Sequence, residues 1–148
     1  MKYEIIKDNN DIKHFMSKFN YFHDSCIKEM KYVSGSYVDE ERAMYPFDDN
    51  NYLIIVFQSQ IAEKAIIELR FDKIGRLNLK PREEGYDSII FEASLIKHGN
   101  LYYWSEWENF DPDVDNDSIG IWVSAKSVSW RHLDKSLMGD REIFTELN

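Results

Sequence analysis

The run Tyr52–Phe57, YLIIVF, is apolar on both faces that a strand would present, and it restricts the fold more than any other stretch. Bounded by polar segments, it reads as a central strand covered on two sides. The chain is therefore expected to build a sheet around it.

Other runs carry the strand period. In Lys64–Phe71 the residues Ala65, Ile67, Leu69 and Phe71 share one face, while Glu68 and Arg70 point the other way. Asp72-Lys73-Ile74-Gly75 has turn composition, and Leu77 and Leu79 continue to Pro81, so a hairpin is expected here. A second hairpin is expected from Ser88–Ile96, with Ile89, Phe91, Ala93 and Leu95 on one side, joined to Leu101–Trp107 through His98-Gly99-Asn100. Ile119–Trp130 places Ile121, Val123 and Ala125 in one phase and Val128 and Trp130 in the other, which a bulge near Lys126 or Ser127 would reconcile. Met1–Lys7 reads as a short edge strand, and Asp39–Asn51 as a polar loop.

Helical signals are few. Asp8, Asn9 and Asn10 offer cap oxygens before Ile12, Phe15, Met16 and Phe19, which predicts a helix over 9–18 lying against the sheet and stopping at Asn20. From Ser25 the spacing of Cys26, Met30, Val33 and Tyr37 also fits a helix. The Ser34-Gly35-Ser36 interruption and the β-branched and aromatic content favour a strand bent near Gly35. In the tail, Leu137, Met138, Ile143, Phe144 and Leu147 suit a short helix after Gly139 with Asp140 as its cap. These elements predict a β-rich α+β fold: an antiparallel sheet of six to seven strands, rolled or doubled into a sandwich, with one N-terminal helix and a short C-terminal one. Residues 1–148 read as one domain.

Charge narrows the partners. A net charge of −9 argues against a phosphate backbone, which is held by clustered Lys and Arg, and suits a basic protein or a cation better. A lone Cys26 fits a reducing compartment. No charged-then-apolar leader opens the sequence, and no apolar run reaches the roughly 18 residues of a membrane helix, so a cytoplasmic protein away from the membrane is expected.

Two stretches could carry function. Tyr21–Val38 opens with His23, Asp24, Ser25 and Cys26, but neighbours on a strand point to opposite faces, and the chain holds no Gly-x-Ser-x-Gly elbow. His14, His23, His98 and His132 lack zinc spacing, and the glycines form no phosphate loop, so catalysis is not expected.

The second stretch, Glu106–Asp117, holds six carboxylates and no Lys or Arg. Asp111, Asp113, Asp115 and Asp117 alternate as in the first half of a calcium loop, yet Asn116 stands where that loop needs Gly and Trp122 where it needs a bidentate Glu. No cofactor is therefore expected. The same loop reads as a docking patch for a basic partner, with Trp104, Trp107 and Phe110 as anchors among Glu106, Glu108, Asp111 and Asp113. A third reading places a small ligand or sugar on an aromatic sheet face made by Tyr102, Trp104, Trp122 and Trp130.

Phe22-His23-Asp24-Ser25, followed by Ile27, Met30 and Tyr32, resembles a Phe-His-Asp-Ser signature of small bacterial β-rich proteins, some classed as immunity proteins of polymorphic toxin systems. The resemblance implies a cytoplasmic, non-enzymatic protein that binds and neutralises a toxin. On their own residue chemistry, Phe22, His23, Asp24 and Ser25 read as a structural motif where the N-terminal helix hands over to the first long strand, with His23 and Asp24 fixing the turn.

Overall fold

The computed structural model describes residues 2–146; Met1 and Leu147, both included in the sequence reading, lie outside the described residues. The chain begins with β1 (Glu4–Ile6) and α1 (Asn9–Lys18). The helix has its expected bounds, and of the cap oxygens offered Asp8 is the one used. Asp8 Oδ1 accepts from Asp11 N–H at 2.9 Å, and the Asp11 carboxylate returns to Lys7 N–H at 2.8 Å. Ile12, Phe15 and Met16 face inward, with the Phe15 ring 5.0 Å from Trp130.

Next come β2 (Ser25–Val33), the short pair β3 (Tyr37–Val38) and β4 (Met44–Tyr45), β5 (Tyr52–Ser59), β6 (Ile66–Asn78), β7 (Ser94–His98), β8 (Leu101–Ser105), β9 (Trp122–His132) and α2 (Ile143–Glu146). Seven strands make one antiparallel sheet in the order β2-β5-β6-β9-β8-β7, with β1 also on β9. Strand β9 is long enough to take two neighbours end to end along one edge: β8 pairs Trp122 to Ala125, and β1 pairs Val128 to Trp130. The sheet is rolled so far that Ile90, just ahead of β7, bridges Ser25 at the start of β2. It does not close into a barrel.

Leu53, Ile55 and Phe57 of β5 sit in the main core with Leu69, Phe71, Val123 and Trp130. Val56 points to the other face, where Ile66, Ile143 and the C-terminal residues Leu133, Leu137, Met138 and Phe144 cover it. The two-sided character of YLIIVF is thus met by the core on one side and by a C-terminal strap on the other.

Three local expectations are corrected. Asp72-Lys73-Ile74-Gly75 is no hairpin turn, because β6 runs straight through it. Its partner β9 pairs both halves, from Ile67–His132 to Asn78–Trp122, and the turn-like residues are absorbed by Lys73 at φ +58° and a register shift between Ile74 and Arg76. The change of phase expected near Lys126 or Ser127 does occur on β9: Ala125 and Val128 both reach the core, and β6 changes phase opposite them between Phe71 and Ile74. In the next segment, Ile89 and Phe91 are exposed while Ile90 is buried, so 89–91 has the opposite phase, whereas Ala93 and Leu95 are buried as expected and strand pairing starts at Ser94. At the other end, α2 is capped from across the fold. Ile143 and Phe144 N–H both donate to the Glu29 carboxylate, the second at 3.1 Å, in the role expected of Asp140.

The polar loop 39–51 also holds more order than its composition suggests, since it contributes β4 to a two-stranded ribbon with β3. Among the described residues that ribbon pairs with no other strand.

Candidate functional site

The junction between α1 and β2 is built on an unusual backbone. Asn20, Tyr21, Phe22 and Asp24 have φ of 56°, 53°, 62° and 56°, a left-handed conformation that is costly for residues carrying a Cβ and least so for Asn and Asp. It persists because its backbone is tied down on three sides. Ala93 N–H donates to Tyr21 O at 3.0 Å, Asp24 N–H to Ile90 O at 3.1 Å, and Gln60 N–H to Asp24 O at 3.0 Å.

Phe22 fills the middle, fully buried, with Phe19, Phe57, Trp104 and Phe15 ring centroids 4.9, 4.7, 5.6 and 5.8 Å away. The buried Ser25 hydroxyl donates to Phe22 O at 2.6 Å and locks the turn. That part was expected of His23 and Asp24, whose side chains are half-exposed and 3.8 Å apart, beyond hydrogen-bond range. The motif is therefore a structural rivet formed by Phe22 and Ser25.

The acidic loop folds back over an aromatic cluster. Phe110 and Trp122 are buried, 5.3 Å apart, with Tyr103 against both. Asn116 holds the loop from inside, donating to Asp111 O at 2.7 Å and Val114 O at 3.0 Å, while Trp122 Nε1 donates to Asn116 O at 3.0 Å. This explains why Asn, not Gly, occupies that position.

The four aspartates do not converge. Asp111 and Asp115 accept from the backbone N–H two residues on, Asp113 pairs with His98 at 3.2 Å, and Asp117 pairs with Arg76 at 2.5 Å. Among the described residues no group of three His, Cys, Asp or Glu is placed to hold a metal ion.

Of the seven residues expected to dock a partner, Trp104, Glu106 and Phe110 are buried, whereas Trp107, Glu108, Asp111 and Asp113 stay on the surface. The strand period explains Trp104, which faces the core from β8. The aromatic sheet face is closed as well: Tyr102, Trp104, Trp122 and Trp130 are all buried. Glu108 lies against Glu92, and the hydrogen bond the two share, followed by desolvation and their mutual repulsion, raises the Glu108 carboxyl above its ordinary range.

Glu106 has a specific role. Its Oε1 accepts from Ile121 N–H at 3.2 Å and lies 3.6 Å from Arg82 Nε, and burial raises its carboxyl above the ordinary range despite both contacts. Together with Lys80, Tyr86, Trp107 and Gly120 these side chains line a cleft of about 210 Å³. Neither Arg82 nor Gly120 stands out in the sequence, where Arg82 is one of two cations flanking Pro81 and Gly120 is a single glycine.

The surface elsewhere is dominated by the β3–β4 ribbon. Tyr37 and Tyr45 pair across it and stack at 4.6 Å, 11° from parallel, while Val38 and Met44 pair on its opposite face. All four are exposed, and Phe47 just beyond is 76% exposed. Asp39 shapes the tip by accepting from Glu41 and Ala43 N–H, each at 2.9 Å. Between Asp39 and Asp49 there are five carboxylates and one cation, Arg42.

No family model, curated protein or solved structure matches this chain. Among the described residues no helix is long and apolar enough to cross a membrane.

Proposed function

We propose that the chain works by binding another protein, without catalysing a reaction, and that the β3–β4 ribbon is its docking element. The observation that carries this reading is a two-stranded ribbon with apolar side chains exposed on both faces. Such ribbons are marginal in water, and contiguous exposed apolar surface commonly marks an interaction site. Stacked tyrosines and a neighbouring Phe are residue types that anchor interfaces. The carboxylates at 39–41 and 48–49 favour a basic partner. Neutralising a basic toxin is the most specific form of the proposal, and it draws on the resemblance carried by Phe22-His23-Asp24-Ser25. The exposed Trp107, Glu108, Asp111 and Asp113 add a second acidic surface of the same sign.

The test mixes the purified, tagged chain with the purified product of each neighbouring gene. One basic product should be retained stoichiometrically and released by raising salt. Phe47→Ser, at the most exposed of these rings, should weaken the complex about 30-fold, the effect of losing a hot spot of about 2 kcal/mol, without lowering the melting temperature. A complex of unchanged affinity in the triple variant Tyr37→Ser, Tyr45→Ser, Phe47→Ser would remove the ribbon from the interface.

A further inference from the structure

We infer that the cleft between residues 80–86 and the loop 106–120 binds a small, neutral, planar molecule that presents an N–H and a carbonyl side by side on one edge. The floor of the cleft sets its chemistry. Glu106 is 5% exposed, and a carboxylate is rarely buried that far without a full set of partners. Beside it Arg82 Nε is buried and, among the described residues, has no hydrogen-bond partner. At 3.6 Å from Glu106 Oε1 it is close enough to attract the carboxylate and too far to donate to it. A buried donor left unmade is costly, and the Arg82 side chain that carries it is 26% exposed and lines the cleft. Acceptor and donor thus lie next to each other, which is the complement of a cis-amide edge: the ligand N–H donates to Glu106 and its carbonyl accepts from Arg82.

The walls agree with that chemistry. Trp107 carries the Arg82 guanidinium 5.2 Å from its ring centroid, fixing the arginine in place, and Tyr86 stands exposed at the mouth. Gly120 has φ +79°, and a Cβ there would lie 2.1 Å from Glu106 Oε1 and 2.8 Å from Trp107 Nε1. Bare backbone is what lets the loop pass behind the carboxylate. The charged side chains lining the cleft cancel, Lys80 and Arg82 against Glu83 and Glu106, so neither an anion nor a cation is favoured. The volume, about 210 Å³, falls below the roughly 300–1,000 Å³ that holds a drug-sized ligand and suits a single ring.

The probe is uracil, a neutral ring with such an edge, with benzoate and benzamidine as charged rings of similar size. Each is titrated into the full-length, ¹⁵N-labelled chain while the Trp107 indole N–H is followed, its signal assigned from Trp107→Phe. Uracil should shift that signal saturably with a Kd on the order of 1 mM, and Arg82→Met, which keeps the apolar stem, should weaken binding roughly ten-fold or more. The indole signals of the buried Trp104 and Trp130 report that Arg82→Met remains folded. The inference is overturned if uracil gives no saturable shift, if either charged ring binds as tightly, or if folded Arg82→Met binds like the parent.

Discussion

Removing the Phe22 side chain should damage this fold more than its surface-like neighbours His23 and Asp24 suggest. The ring is fully buried and contacts aromatic rings from α1, β5 and β8, together with Phe19. Truncating a buried Phe to Ala costs about 3–5 kcal/mol, and the upper part of that range applies where the surroundings cannot collapse into the space. Here the backbone of the turn is held by Ala93, Ile90 and Gln60, so collapse is restrained. Against a total stability of about 5–15 kcal/mol, Phe22→Ala should lower the melting temperature on the order of 10 °C.

The backbone supplies an internal control. At an ordinary position Gly is about 0.5–1 kcal/mol worse than Ala, but at φ +62° the left-handed penalty of about 1–2 kcal/mol falls on Ala alone. Phe22→Gly should therefore equal or exceed Phe22→Ala in stability. Urea denaturation of both variants, analysed with a common slope, reads the two numbers. A loss below about 1 kcal/mol in Phe22→Ala, or a Gly variant about 1 kcal/mol weaker than the Ala variant, would refute the account of the rivet.

Two further outcomes are expected. Glu29→Ala removes the acceptor of Ile143 and Phe144 N–H and should cost about 1 kcal/mol, with faster amide exchange at those two residues and unchanged exchange in β5; equal exchange in both variants counts against the cap. Glu106 supplies a pH dependence. Because its carboxyl is raised in the folded state, the fold binds more protons there than the unfolded chain does, so the burial penalty is present above the folded value and is relieved as pH falls toward the ordinary value of 4.5. Relative to Glu106→Gln, the parent should gain stability on acidification through that window, and a flat difference would contradict the burial.

What was legible in the sequence is what depends on near neighbours. Asp8 caps the start of α1, Gly99 turns the β7–β8 hairpin at φ +61°, and YLIIVF places β5 inside the sheet. The errors share one cause. Asp72-Lys73-Ile74-Gly75 has the same composition whether it turns the chain back or bends a strand, and only the length of β9, fifty residues on, decides between the two. Likewise Trp104, Glu106 and Phe110 were read with Trp107 as one surface because they are adjacent in sequence. Residue 104 belongs to the inner face of β8, and the loop that follows closes over 106 and 110. The ribbon was hidden for the opposite reason: Met44, Tyr45 and Phe47 lie within a polar loop, where apolar residues without a core give no periodic signal.

The matched change of phase in β6 and β9 bears on how such a chain can vary. Residues 71 and 128 face the core together, as do 74 and 125, so the two strands carry the same number of residues between their core contacts. Deleting Lys73 alone would remove the change of phase from β6 and leave it on β9, so the residues from Ile74 onward would slip by one against their partners. A loss on one strand becomes tolerable only with a loss opposite it near Lys126. Length variation in this region should thus appear as compensated pairs, and a library of single-residue deletions should find these two long strands the least forgiving part of the sheet.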